Sequence, residues 1–250
     1  RALLGLVRLR GIPQDDPFPV PGRPDVRMVP TDSYVANHLF WLGIDGYEAG
    51  EPAWWASLVT SHRSALELGS NIGLYTLVGA TAAPHVPYRA VEANPASCDV
   101  LRRNVALNDL ANVCIVEAAV VGERRAETVT LRFPDRDRYL ASAGAFVEGA
   151  PDLTTAAARS ITVPTVAVHE LIDGVDLLKI DVEGLEVEVL GAVRSWRVAA
   201  EPTGVVEVRD DAVHLQRFLA DLLVESRHRC VVVRDGRPAV IPHTTVTGGR

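Results

Sequence analysis

LELGSNIG, from Leu66 to Gly73, reads as a buried strand that ends at an acidic residue and a glycine and turns into a helix. A second stretch, KIDVEG from Lys179 to Gly184, has the same build. Open α/β sheets place their ligands at such turns, outside the carboxyl ends of the strands. The distance between the two stretches leaves room for several βα units. The reading is therefore two strands that lie side by side in one sheet, with other units between them in the chain.

Working outward from these stretches, strands and helices alternate from Ser64 onward, the mark of a parallel sheet with helices on both faces. SALELGS is the first strand, and its helix begins at Asn71. YRAVEAN (Tyr88 to Asn94) is the second, and Asn94-Pro95 opens a helix to Asn108 with Val100, Leu101 and Val105 at helical spacing. VCIVEAAV (Val113 to Val120) is the third. Gly122 to Ser160 is less regular and is expected to hold a β-hairpin arm (VTLRF) and a flexible, small-residue loop around Ala141 to Ala158. VDLLKID then gives a strand after Ile161 to Val166, followed by a helix from Gly184 to Trp196, the strand GVVEV and a helix from Asp211 to Ser226. CVVVRDGRPAVIP closes the chain as a hairpin turning at Asp235-Gly236. The fold expected is α/β, a doubly wound, mostly parallel sheet with an antiparallel terminal hairpin.

Upstream, Gly11 to Pro30 is rich in proline and is expected to form an extended arm on the surface or on a neighbouring subunit, which would make a homodimer through that arm. Thr31 to His62 is helical in pattern. Asp32 or Ser33 caps a segment through Leu42, and Glu51-Pro52 opens another, proline being favoured in a first helical turn. These boundaries divide the chain into 1–62, an N-terminal arm with cap helices, and 63–250, the α/β domain.

The chain has 250 residues, 48% apolar and 23% charged, ordinary values for a globular domain. No apolar run is long enough to span a bilayer, and RALLGLVRLR at the start is too short and too charged for a signal peptide. Acids outnumber bases 32 to 25, for a net charge of −7. That balance disfavours nucleic acid and anionic membrane as partners and suits a neutral or cationic small molecule. Cys98, Cys114 and Cys230 are scattered and form no CxxC pair, so reduced thiols in a cytoplasmic protein are expected rather than a disulfide framework or a zinc site. Lys179 is the only lysine. Arginine stands at every other basic position, which points to a compact ammonium being required inside KIDVEG.

Gly69 and Gly73 flank the first turn, where glycine permits positive φ and close approach of a ligand to the backbone. Amides at the helix start can hold a carboxylate, and Glu67 can accept from an ammonium, so a ligand with an amino-acid end suits this turn. The dinucleotide fingerprint GxGxxG is missing, because position 71 is Asn. A glycine turn without a ligand is the competing reading. Glu92 ends the second strand, where a carboxylate accepts from a ribose diol. Asn94 beside it belongs to the same group, and Glu117 or Ala118, ending the third strand, would border an adenine. In KIDVEG, alternation puts Lys179 and Asp181 on one strand face. Asp181 and Glu183 sit at the carboxyl end, beside the first turn. A helix cap with a buried lysine ion pair is the plainer alternative there.

LELGSNIGLYTL, YRAVEANPASCDVLRRNV and VDLLKIDVEGLEVEVLGA together resemble the motifs of FkbM-type S-adenosylmethionine-dependent methyltransferases over roughly Glu51 to Val208. The resemblance implies a class I, Rossmann-like methyltransferase fold, S-adenosylmethionine as donor and a hydroxyl acceptor on a natural product or sugar. It assigns Glu67, Gly69, Asn71 and Gly73 to the methionine end of the donor and Glu92 to its ribose. The usual family string has Asp and GAN where this chain has Glu67 and GSN, changes that keep the carboxylate and add a hydroxyl at Ser70.

For a hydroxyl acceptor, a general base assists as the new bond forms. Asp181, Glu183 and His38 are the candidates, with Glu207 and the more distant His243 behind them. Trp41, Trp54, Trp55 and Tyr47 could wall an acceptor pocket, although aromatic residues at helical spacing are more often core. No metal is expected, since only Asp181 and Glu183 come together as ligands in the sequence. The alternatives are an N-methyltransferase acting on an amino sugar and a non-catalytic donor-binding module. A nicotinamide-dependent reductase is disfavoured by the missing fingerprint and the antiparallel end.

Overall fold

The computed structural model describes residues 12–13, 15–134, 145–149, 157–195, 203–208, 212–225, 231–234 and 237–240. At the N-terminal end, β1 (Phe18–Val20) and β2 (Arg23–Met28) form an antiparallel hairpin that turns through Gly22, with φ of 87°. Helix α1 (Tyr34–Leu42) follows, capped by the Ser33 hydroxyl, which accepts from the Ala36 amide at 3.0 Å. Helix α2 (Glu51–Thr60) begins with Pro52 in its first turn, as expected from the sequence.

The α/β body starts with β3 (Ala65–Leu68), α3 (Leu74–Ala82), β4 (Tyr88–Glu92), α4 (Pro95–Leu107) and β5 (Val113–Glu117). Four strands come next, β6 (Ala119–Val121), β7 (Thr128–Pro134), β8 (Phe146–Val147) and β9 (Ala157–Ala167). The chain then runs through β10 (Leu177–Ile180), α5 (Glu186–Ser195), β11 (Thr203–Val206), α6 (Val213–Glu225), β12 (Val231–Arg234) and β13 (Arg237–Val240).

Five strands form one parallel sheet in the order β11-β10-β3-β4-β5. The chain builds outward from β3 in one direction and returns to build outward from β10 in the other. The switch point, where such sheets open a crevice, therefore lies between β3 and β10. Lys179 is in register with Glu67 across that junction. Strand alternation sorts the core into two layers. Ala65, Tyr88, Ala90 and Leu177 face a cluster built with the N-terminal hairpin and α1 to α4. Leu66, Leu68, Val91, Leu178 and Ile180 face a second cluster with Leu185 and Val189. Glu67 and Lys179 share the first face and are thus placed beneath the N-terminal segment.

Three expectations change. The proline-rich stretch is not an extended surface arm. Phe18, Val20, Val26 and Met28 are buried in the first core layer of their own chain. Asn104 on α4 tethers the segment, accepting from the Val29 amide at 2.8 Å and donating to the Ile72 carbonyl at 2.8 Å. VCIVEAAV is two strands rather than one. The chain bends at Ala118, whose amide bonds the Glu92 carbonyl, and β6 leaves to pair with β9 in a four-stranded sheet, β6-β9-β7-β8. The VTLRF strand is there as β7, paired antiparallel with β9. Finally, β12 and β13 pair with each other, and among the described residues neither joins the five-stranded sheet. Most of the loop expected around Ala141 to Ala158 and the turn at Asp235-Gly236 lie outside the described residues, as does His243.

Candidate functional site

The two stretches that decided the fold meet physically. Gly69 follows β3 with φ of 86°, and a Cβ placed on it would lie 1.7 Å from the carbonyl oxygen of Asp181. Only glycine allows both the left-handed backbone and this approach. Asn71 also has positive φ, 48°, and Gly73, at 97°, is the N-cap of α3. A Cβ at Gly73 would strike Leu101 at 2.5 Å, so this glycine serves the packing of α3 on α4 and does not line the cavity.

A cavity of about 330 Å³ opens at the switch point, within the range usual for small-molecule sites. Its first half is made by the turn after β3 and the ends of β4 and β5, with Gly69, Asn71, Glu92 and Ala118 at its wall. Glu92 is pinned by two amides: Asn71 donates to Oε2 and Asn94 to Oε1, each at 2.8 Å. Burial pushes its carboxyl up to about 7 against those donors. Asn94 itself is withdrawn from the cavity and caps α4, its side-chain oxygen accepting from the Ala96 amide at 3.1 Å. Glu117 also stays outside, paired with Arg102 at 2.7 Å, and it is the small Ala118 that lines the wall. The side-chain oxygen of Asn71 is buried without a partner among the described residues.

Glu67 lies deeper, 1% exposed at the cavity floor. Thr76 and Tyr88 donate their hydroxyls to its Oε2 at 2.7 and 2.5 Å, and Tyr88 in turn accepts from Trp55 Nε1 at 3.0 Å. Burial pushes Glu67 up to about 7, although Lys179 and the two hydroxyls favour its charge.

The second half of the cavity is acidic. Asp181 and Glu183 follow β10, and Glu207 follows β11. Lys179, 6% exposed, places its ammonium 2.7 Å from Asp181 Oδ2 and 4.4 Å from the centroid of the Tyr75 ring. Burial opposes both charges. Even so, Asp181 and Glu67 hold Lys179 above the ordinary lysine range, while Lys179 and the contact with Glu207 hold Asp181 below the usual carboxylate range. The Asp181 charge, together with burial, pushes Glu207 up to about 9. At the start of α5, Glu186 accepts from the Gly184 amide at 3.0 Å. Asp181 is therefore the partner of Lys179 and Glu207 rather than a cap.

The N-terminal segment covers this end with Tyr34 from α1 and Tyr47 and Glu48 from the turn before α2. Glu48 has φ of 49° and accepts the Tyr75 hydroxyl. Tyr34, Glu48 and Tyr75 were not singled out in the sequence. The glycine-punctuated run from Gly43 to Gly50 was the one available signal, since it marks a tight turn between two helices. His38 is not brought to the cavity. It is buried behind Tyr34, with Nδ1 2.9 Å from the Tyr34 carbonyl and its ring stacked on Tyr34 at 3.9 Å. Of the aromatic candidates only Tyr47 lines the cavity; Trp55 is core and Trp41 lies on the surface. The third acid that the sequence did not place beside Asp181 and Glu183 is Glu207. One oxygen from each lies within 4.8 Å of the others, close enough to share a cation.

Residues 67–229, more than half of the chain, match the family model described as the Methyltransferase FkbM domain. None of the curated proteins matches the chain. Among solved structures, the chain is similar to a precorrin-6y C5,15-methyltransferase from Geobacter metallireducens GS-15 at 17% identity, over 73% of this chain and 72% of that one, with a TM-score of 0.45. It is also similar to the SAH-bound methyltransferase PaMTH1 of Podospora anserina at 11% identity, over 93% and 89% of the two chains, with a TM-score of 0.47. Both likenesses are loose, and the family match carries the assignment.

Proposed function

The chain belongs to the FkbM methyltransferase family, and from that premise we propose that it methylates a hydroxyl on a small natural product or sugar in secondary-metabolite biosynthesis. S-adenosylmethionine is its donor and supplies a methyl group activated by a positively charged sulfur. The chain's own work is to hold that donor, present an acceptor oxygen in line with it and take up a proton.

The donor half of the cavity fits the molecule. Glu92 keeps acceptor capacity for a ribose diol beyond its two amide bonds, and Ala118 leaves room for a base beside it. The buried oxygen of Asn71, without a partner among the described residues, would accept from a hydroxyl or amino group of the bound donor. Gly69 lets the methionine end approach the backbone.

The observation that carries the reaction is the contact of the two strand ends at Gly69 and Asp181, which sets an ionised carboxylate beside the donor turn. Asp181 is the base we assign. Lys179 at its Oδ2 and the hydrogen bond with Glu207 hold this carboxylate ionised and in place. Glu207 is held in its protonated form near neutral pH and is a poorer base. Transfer to nitrogen is the second reading, favoured by the surplus of acids at the acceptor end.

Calorimetric titration with S-adenosylhomocysteine, beside NADH, tests the reading. Micromolar binding of the former, about −8 kcal/mol, and its weakening in Glu92→Ala are expected. A flat trace with S-adenosylhomocysteine, or a response to NADH alone, overturns it.

A further inference from the structure

A hydroxyl acceptor does not by itself account for the charge at the acceptor end of the cavity. We propose that the acceptor is an amino alcohol: a protonated amine is the handle recognised by Glu48 with the rings of Tyr34 and Tyr47, and a neighbouring hydroxyl is the atom methylated. The inference rests on the methyltransferase reading and names its substrate class.

Four acids, Glu48, Asp181, Glu183 and Glu207, line this end, and among the described residues Lys179 is the one basic side chain on the cavity wall. That ammonium is buried and bound to Asp181, so it balances a single charge and is not presented to a ligand. The Tyr75 hydroxyl satisfies a lone pair of Glu48 but brings no charge. Negative potential is left facing the acceptor, and its effect on neighbouring groups is visible. Glu48 adds to burial in raising both Tyr47 and Glu51, and Asp181 raises Glu207.

Aromatic walls stand beside these acids. Tyr34 and Tyr47 come from different parts of the N-terminal segment and meet edge to face, with centroids 6.2 Å apart, at the same mouth. Tyrosine faces next to carboxylates are what an ammonium requires when it leaves water: ring quadrupoles on one side and a countercharge on the other. An acceptor carrying carboxylate or phosphate would meet repulsion instead.

The same charges separate handle from nucleophile. A carboxylate beside an amine favours its protonated form, and a protonated nitrogen has no lone pair to offer a methyl group. The amine is thus held as a cation, and the atom that reacts is an adjacent hydroxyl within reach of Asp181. The N-methylation reading and the acidic surplus are reconciled: the surplus recognises nitrogen, and oxygen is methylated.

The test uses three matched sugars on protein saturated with S-adenosylhomocysteine: D-glucosamine, D-glucose and D-glucuronate, which differ in bearing an ammonium, a hydroxyl or a carboxylate. Glucosamine is expected to bind about tenfold more tightly than glucose, the low end of what a hydrogen bond to a charged group is worth, with glucuronate weakest. Glu48→Gln keeps the oxygen that meets Tyr75 but removes the charge. It is expected to narrow the gap between glucosamine and glucose, while S-adenosylhomocysteine binding in the same sample reports that the variant is folded. Equal binding of the three sugars, no binding of glucosamine, or a preference that survives Glu48→Gln overturns the proposal. So does glucose binding that appears only with added Mg²⁺, which would give the acids to a metal ion. Failure of S-adenosylhomocysteine to bind wild type would instead remove the methyltransferase reading beneath it.

Discussion

Lys179 and Asp181 stand two residues apart on one face of a strand end, their ammonium and carboxylate 2.7 Å from each other in the floor of the cavity. The pair is mostly withdrawn from water. Glu67 lies on the other side of the ammonium in the neighbouring strand, in register with Lys179, and the Tyr75 ring lies beside it. Removing one member of such a pair leaves a buried charge uncompensated, which costs about 3–5 kcal/mol. Lys179→Met is therefore expected to lower the stability to chemical denaturation by an amount of that order. Lys179→Arg should rescue it poorly, because a planar guanidinium does not fit the space of a compact ammonium. Adding Asp181→Asn to Lys179→Met should recover part of the loss, and a double-mutant cycle would read the coupling.

The buried carboxyl of Glu67 makes stability depend on pH. It titrates at about 7 in the fold, against an ordinary value of 4.5. A folded state that binds the proton more tightly than the unfolded one is favoured at low pH and loses that advantage as pH rises through 7. The loss is on the order of 3 kcal/mol, since each tenfold difference in proton affinity is worth about 1.4 kcal/mol. Glu67→Gln removes this dependence. Urea midpoints at pH 5 and pH 8 should show the variant gaining on wild type at the higher pH; a constant difference would mean that Glu67 is ionised throughout.

Glu92→Ala removes the carboxylate that organises Asn71 and Asn94 and that we assign to the ribose of the donor. Hydrogen bonds to a charged group are worth about 1.5–3 kcal/mol, so S-adenosylhomocysteine affinity should fall roughly 10- to 100-fold. Arg102→Ala, which releases Glu117 outside the cavity, should leave that affinity within about twofold, since it breaks only an exposed pair.

Two glycines with similar backbone angles should respond differently to alanine. Gly174 has φ of 72° and nothing within 4 Å of a Cβ, so Gly174→Ala carries only backbone strain, about 1 kcal/mol. Gly69→Ala carries the same strain and also drives a methyl group into the Asp181 carbonyl at 1.7 Å. It is expected to separate the two strand ends, abolish S-adenosylhomocysteine binding and lower the melting temperature far more. Equal melting temperatures for the two variants would contradict the contact.

The N-terminal segment is a structural part of the fold. Asn104→Ala leaves the Val29 amide and the Ile72 carbonyl without their partner in a buried place, at about 1–3 kcal/mol each. Faster amide exchange at Val29 and a lower denaturation midpoint are expected.

The parallel sheet and the place of its crevice were legible in the chain. Strand alternation and turn glycines are local signals, and LELGSNIG and KIDVEG each carry them in full. The same local logic gave Asp32 or Ser33 as the first cap, of which Ser33 is the one used, the cap at Asn94 and the opening of α2 at Pro52. It misled where local pattern and long-range packing diverge. The run from Gly11 to Pro30 looks like an arm by composition, yet Phe18, Val20, Val26 and Met28 occur at the spacing of a half-buried hairpin. His38 sits on the helix that covers the site, but its ring is turned behind Tyr34. The third strand leaves the sheet after Ala118, whose amide makes the last bond to β4, because the next residues pair with β9, a partner that periodicity does not reveal.

The sequence by itself determined the sheet, the donor turn and the acids at its carboxyl edge, because strand period, helix caps and glycine backbone freedom act between residues close in the chain. Only the tertiary structure decided what those acids face. The ion pair of Lys179 with Asp181, the approach of Glu207 from the next strand, and the closing of the mouth by Tyr34, Tyr47 and Glu48 join segments far apart in sequence. Their charges and rings act on one another through space, and that proximity exists only once the N-terminal segment has packed over the switch point.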